Sequence, residues 1–206
     1  MTAAISRSSA KMYMKLTGQK SQVKGSRRGF TMVELMITLG IFLVMTSVVL
    51  ARYRLFGINA EFANAVEGIV LSLREAQVYG AGSKTTGGAV LCNGSAFNCA
   101  YGVRFTQGTN SYIVFIDEDD DYLYDTGETI IANTSLGANA SLVSVQYPAG
   151  CSGTTAYVTF KRPNIDARIA DPSATLCESV LITVENTDGT KQSVINVTST
   201  GQISVQ

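Results

Sequence analysis

The sequence predicts an α+β protein in which one long N-terminal helix packs on an antiparallel β-rich domain. Two observations carry that prediction. Phe30 to Leu50 is an apolar run with a single charge, Glu34, and an amphipathic stripe continues beyond it. After Ser83 the texture changes to short β-rich runs separated by Gly, Asn, Asp and Pro. At 206 residues the chain has room for a membrane segment and one modest globular domain.

Residues 1–29 are polar, rich in Ser and Lys, and free of apolar periodicity, so they read as a leader that is removed. They hold seven basic residues (Arg7, Lys11, Lys15, Lys20, Lys24, Arg27, Arg28) and no acid. The formal charge of zero therefore conceals a division. Residues 30–206 carry nine Lys/Arg against sixteen Asp/Glu, a net of −7. Basic residues ahead of an apolar segment keep the leader in the cytoplasm and send the C-terminal portion outward. An acidic remainder argues against sequence-independent nucleic-acid binding.

Phe30 to Leu50 would span about 30 Å as a helix, the thickness of a bilayer core. A cleaved secretory signal peptide is the competing reading. Its apolar core would be too long against the usual stretch of about 7–15 residues, and no A-x-A site precedes Arg52. A plain signal anchor leaves Glu34 unexplained, because a carboxylate in a membrane segment is costly. The helix should continue, with Phe62, Val66, Ile69, Val70, Leu73 and Ala76 on one stripe and Glu61, Glu67, Arg74 and Glu75 on other faces. Gly57 and Gly68 weaken this segment, and Gly80-Ala81-Gly82-Ser83 ends it. The chain so divides into a leader (1–29), a transmembrane helix (30–51), its amphipathic continuation (52–82) and a β-rich extracytoplasmic domain (83–206).

Eight strands are expected in that domain: Tyr101–Thr106, Ser111–Ile116, Glu128–Ala132, Ser141–Tyr147, Ala156–Lys161, Ser179–Glu185, Gln192–Val197 and Gln202–Val205. Gln107-Gly108-Thr109-Asn110 and Asn186-Thr187-Asp188-Gly189 have hairpin-turn composition. The chain has no histidine, which excludes Ser-His-Asp and Cys-His catalysis and His-containing zinc sites. Cys92, Cys99, Cys151 and Cys177 all lie on the outward side, where an even count favours disulfides. Three pairings are open; nearest neighbours, Cys92 with Cys99 and Cys151 with Cys177, are expected. Asn93, Asn133, Asn139 and Asn196 begin N-x-S/T matches, read as chance.

Arg27-Arg28-Gly29-Phe30-Thr31-Met32-Val33-Glu34-Leu35, heading an uninterrupted apolar stretch, resembles the type III signal of type IV prepilins and pseudopilins. The resemblance implies that a prepilin peptidase cuts after Gly29, that Phe30 is N-methylated, and that Glu34 pairs with a terminal amine during filament assembly. It also implies a pilin-like fold and a structural, non-enzymatic role. The implied partners are other pilins or pseudopilins, the inner-membrane assembly machinery and the membrane itself. The implied location is the cytoplasmic membrane first, then a surface pilus or periplasmic pseudopilus. Phe160-Lys161-Arg162-Pro163-Asn164 and a closing Val197-Thr198-Ser199-Thr200-Gly201 hairpin are similar to the GspH/FimT-type minor pilins and pseudopilins. Members that bind DNA carry a basic Gly-Arg-x-Arg near the C-terminus. Here that stretch is Gly201-Gln202-Ile203-Ser204, without arginine, so nucleic acid is not an expected partner. The alternative function is a filament-tip binding module for DNA uptake or adhesion, for which Arg104, Arg162 and Arg168 would have to converge.

Asp117 to Glu128 is the second informative segment. Asp117, Asp119, Asp121, Asp125 and Glu128 fall at the first, third, fifth, ninth and twelfth places, with the Leu123 carbonyl at the seventh. That is the spacing of a twelve-residue calcium loop of EF-hand type. Tyr122 stands at the sixth place, where the sharp turn usually takes glycine, and the flanks read as strands rather than helices. Five consecutive acids repel one another without a counter-ion. A solvated acidic hairpin tip is the other reading, and calcium is the only cofactor the sequence suggests.

Overall fold

The structure is a computed structural model that describes residues 29–82, 84, 90–92, 94–148 and 150–206. The leader before Gly29, Ser83 of the expected helix stop and Asn93 lie outside the described residues. The chain forms two compact units, up to Thr46 and from Ser47 to Gln206. A single helix, α1 (Met32–Ala81), contributes to both.

The start of α1 follows from Thr31. Its hydroxyl accepts the Glu34 N–H at 3.2 Å, and its carbonyl accepts the Leu35 N–H at 3.1 Å. Thr31 is thus the N-cap, with a glutamate three places on, the spacing of a capping box. From Thr31 to Met45 every side chain is exposed. Thr38 and Thr46 donate their hydroxyls to the Leu35 and Phe42 carbonyls at 2.9 and 2.8 Å, so neither leaves an unpaired donor on an apolar surface.

In the second unit five of the six residues of the expected stripe, Phe62, Val66, Ile69, Leu73 and Ala76, are at most 7% exposed, and Val70 is partly buried against the same core. The strands are β1 (Ala100–Thr106), β2 (Ser111–Asp117), β3 (Ile130–Ser135), β4 (Ala140–Gln146), β5 (Thr155–Phe160), β6 (Ala167–Ala170), β7 (Leu176–Cys177), β8 (Ser179–Asn186), β9 (Gln192–Thr198) and β10 (Ile203–Val205). They make two antiparallel sheets, one of six strands in the order β3-β2-β1-β5-β6-β7 and one of four in the order β10-β9-β8-β4. The expected strand from Glu128 begins instead at Ile130, because both Glu128 carboxylate oxygens accept loop amides, from Glu118 and Asp125. The short β6 and β7 carried no clear alternation and were not expected.

The helix stripe shares one core with Val103, Phe105, Val158, Phe160 and Ile169 of the larger sheet and Leu142, Val180, Ile182, Ile195 and Val197 of the smaller. Polar staples fix it there. Glu61 accepts Ala138 N–H at 2.9 Å and Asn139 Nδ2 at 2.6 Å, while Gln77 Nε2 donates at 3.1 Å to both Ile165 O and Gly201 O. Gly80 lets the helix end meet β5: a Cβ there would lie 2.2 Å from the Phe160 carbonyl oxygen. The β1–β2 turn ties the sheets together, with Gly108 N–H on Leu142 O and Leu142 N–H on Thr109 O. Two disulfides, Cys92–Cys99 and Cys151–Cys177, have the nearest-neighbour pairing.

Candidate functional site

Two separate places hold the residues that the sequence singled out. At the first, Gly29, Phe30, Thr31 and Glu34 line one open recess. Phe30 is 80% exposed, and a Cβ at Gly29 would meet nothing within 4 Å. Among the described residues nothing therefore demands glycine at position 29. Glu34 sits in the first helical turn. There the unpaired N–H groups and the helix dipole favour a negative charge. This local role of the Thr-x-x-Glu spacing was missed in sequence, although capping-box spacing alone would have found it.

The second place is the acidic segment closing the β2–β3 hairpin. Alternation along β2 turns Tyr112, Val114 and Ile116 to the core and Phe115 and Asp117 to the outer face. Asp117 is only 1% exposed, and its carboxylate accepts the N–H groups of Asp120 at 2.6 Å and Tyr122 at 3.1 Å. Asp120 and Tyr122 both have positive φ, 71° and 74°. Tyr122 thus adopts the turn expected to need glycine. Glu128 spans the loop base, Oε1 accepting Glu118 N–H at 2.8 Å and Oε2 accepting Asp125 N–H at 3.0 Å. Leu123 donates its N–H to Asp121 Oδ1 at 2.8 Å.

Two groups of carboxylates converge, each with oxygens within 4.8 Å of one another: Asp117, Asp119 and Glu128, and Asp119, Asp121 and Asp125. All five expected carboxylates belong to one or the other, and Asp119 belongs to both. An all-oxygen donor set of this kind suits a hard divalent cation. Burial pushes the Asp117 carboxyl up to about 6, with the Asp120 and Tyr122 amides opposing and the Asp120 and Asp121 charges adding to the rise. Burial likewise raises Glu128 to about 7, against its two amide donors and with help from the Asp117 and Asp119 charges.

One of the five consecutive acids has its counter-ions within the chain. Asp120 pairs with Lys161 at 2.7 Å and Arg168 at 3.1 Å. The Arg168 guanidinium also lies 4.8 Å from the Tyr122 ring centroid, and that of Arg104 lies 4.9 Å from Tyr124, whose ring meets Phe115 edge-on. Gly102 makes room for this layer, since a Cβ there would lie 2.6 Å from the Phe115 ring. Arg104 and Arg168 do converge on one sheet, where they hold the acidic loop down. Period-two alternation would have revealed this: Arg104 flanks Val103 and Phe105, Lys161 follows Phe160, and Arg168 precedes Ile169, each opposite in phase to core residues.

These geometries define a class: a chain with an exposed Gly-Phe junction ahead of an apolar, N-capped helix long enough to cross a membrane. Residues 24–50 match the family model of the prokaryotic N-terminal methylation motif, the type IV prepilin-like signal. No curated protein and no solved structure matches the chain. The motif supports a type IV pilin-like protein and suggests processing by a prepilin peptidase, assembly with other pilins and membrane anchoring through the apolar helix.

Proposed function

We propose that this chain is a minor pilin or pseudopilin of the GspH/FimT type, a structural subunit that enters a type IV pilus-like or type II secretion filament through its N-terminal helix. The observation that carries the reading is the methylation motif at residues 24–50, placed on an exposed junction and a capped apolar helix. Cleavage after Gly29 frees the amine of Phe30. Glu34, poorly accommodated by lipid, gains a charge partner when a neighbouring subunit presents its amine, so the correct register relieves an unpaired ion. The exposed apolar side chains from Met32 to Met45 then exchange lipid for the helices of neighbours. The β-rich unit stays on the outer side of the membrane. No observation favours the tip-binding alternative, because Arg104 and Arg168 are engaged by Tyr124, Tyr122 and Asp120.

The acidic loop enters this reading as a calcium-binding element. Its support is the donor spacing together with the positive φ at Tyr122, which gives the turn that the sequence left in doubt. The main test is the intact mass of the membrane-extracted protein. A chain beginning at a methylated Phe30 is the expected result; an intact leader, or a cut beyond Leu50, would sink the assembly reading.

A further inference from the structure

The sheets present four edges, and three of them are guarded. β7 is two residues long and β10 is three. β4 is bonded along its outer side by the β1–β2 turn, through Gly108 N–H on Leu142 O and Leu142 N–H on Thr109 O. The fourth edge is β3, six residues reading Ile-Ile-Ala-Asn-Thr-Ser, and among the described residues β2 is its only strand neighbour. It carries no charge and no proline, two of the devices that keep an edge from pairing; its ladder with β2 is bulged at Ile131, so the regular part of the edge is 132–135. Ile130 and Ile131 are 45% and 40% exposed along it. Leu136 N–H points towards β2, onto Asn110 O, so by alternation the N–H groups of Asn133 and Ser135 face away from the sheet.

The charge beside this edge says what fits it. The segment from Asp117 to Glu128 holds seven carboxylates and ends two residues before β3. Among the described residues, Asp120 is the one acid of the seven with a salt bridge. The negative field is therefore concentrated at the N-terminal end of the edge; its far end, at Leu136-Gly137-Ala138, meets one carboxylate, Glu61, which is already held by Ala138 N–H and Asn139 Nδ2. A strand added antiparallel to β3 brings its own C-terminal end beside the acids. A second copy of this chain would bring an uncharged β3 and another acidic loop, gaining nothing from that field.

We propose that β3 is a docking edge for an extended segment of a partner protein, apolar at alternate positions and basic at its C-terminal end. Main-chain bonds from Asn133 and Ser135 supply the pairing, Ile131 an apolar contact, and the acidic loop the direction. This goes beyond the assembly reading and does not rest on it.

The test uses the full-length protein in detergent micelles and a labelled peptide of alternating valine and threonine ending in three lysines. Saturable binding is expected, with slowed hydrogen exchange at the amides of Asn133 and Ser135. Affinity should fall at least about tenfold in Asn133→Pro, which removes an outward N–H and leaves the bonds to β2 intact, a change of about 1.4 kcal/mol. Ile131→Lys, a surface change that leaves the backbone untouched, should weaken binding similarly and keeps the test valid if the proline variant does not fold. Equal binding by both variants, or equal affinity for a glutamate-ended peptide, overturns the proposal. So does concentration-dependent dimerisation that Asn133→Pro abolishes, because the edge would then belong to a second copy.

Discussion

Two stretches of one helix treat apolar residues in opposite ways. Leu39, before Thr46, is 54% exposed, and Leu73, in the second unit, is fully buried. The first stretch is apolar on nearly every side and has no packing partner among the described residues. The second keeps one apolar stripe against the sheets and sets Glu67, Arg74 and Glu75 on its exposed surface. The difference teaches where each stretch is to be read. Under the proposed assembly, residues of the first act through molecules outside the chain, so substitutions there should change assembly; residues of the second act through the chain's own core, so substitutions there should change folding.

The largest effect that separates the two is expected at Glu34. Glu34→Ala should abolish incorporation into filaments while leaving the melting of the β-rich unit unchanged. Removing the charge also eases membrane insertion, by less than the ~2.5–3.5 kcal/mol typical of a helix centre, because the first turn already favours an anion. Copurification with filaments reads one half of the statement and thermal melting the other. Wild-type copurification would end the role assigned to Glu34, and a lowered melt would end the separation of the two stretches.

Identical chemistry in both stretches sharpens the contrast. Leu73→Ala leaves a cavity in a packed core and should destabilise by about 2–5 kcal/mol. Leu39→Ala removes side chain from an exposed surface and should stay within about 0.5 kcal/mol in the same denaturation experiment. Comparable losses would mean that Leu39 has a partner within its own chain.

That asymmetry also explains what was legible in the sequence. Long β runs such as Tyr112-Ile113-Val114-Phe115-Ile116 announce themselves by alternation, and the helix stripe by its period, because one buried face imposes one pattern. Ala167–Ala170 and Leu176–Cys177 did not, because two to four residues are too few to display a period. The methylation motif was legible because a short linear motif needs no fold. The acidic loop was half legible. Its donor spacing is local, but the cations that hold it, Lys161 just after β5 and Arg168 on the neighbouring β6, lie about forty to fifty residues on. Only the sheet order brings them to Asp120.

Calcium gives the next largest effect, in the second unit alone. The full-length protein in detergent should melt higher with calcium than with chelator, by about 2.7 kcal/mol when free calcium is a hundredfold above its Kd. Asp119 serves both carboxylate groups, so Asp119→Ala should remove the difference. Asp120→Asn, which touches only the salt bridges to Lys161 and Arg168, should retain it. Equal melts with and without calcium, together with no heat in titration, would return the loop to a solvated acidic turn.

The smallest effect is confined to acid and concerns Asp171, which follows β6. Its Oδ1 accepts the N–H groups of Ser173 at 2.8 Å and Thr175 at 3.0 Å, and its Oδ2 that of Ser152 at 3.3 Å. It thus links the segments beside Cys151 and Cys177. Burial works against ionisation here, but the amides of Thr175, Ser173 and Ser152, with the Thr175 side chain, outweigh it and hold the carboxyl below its usual value. A depressed folded value means that the stabilisation is present above the unfolded pKa, about 3.9, and is lost as pH falls through the folded value. Asp117 and Glu128, raised to about 6 and about 7, act in the opposite sense: without calcium, stability is lost as pH rises through those values. The melting curve of the wild type therefore mixes both trends, and only its difference from Asp171→Asn isolates the clamp. That difference should be constant from about pH 5 to 8 and close as pH drops below about 4, where the wild-type carboxyl takes up its proton. A gap that persists to the lowest pH at which the protein still melts would mean that Asp171 acts through shape alone, with its charge irrelevant to the link it makes.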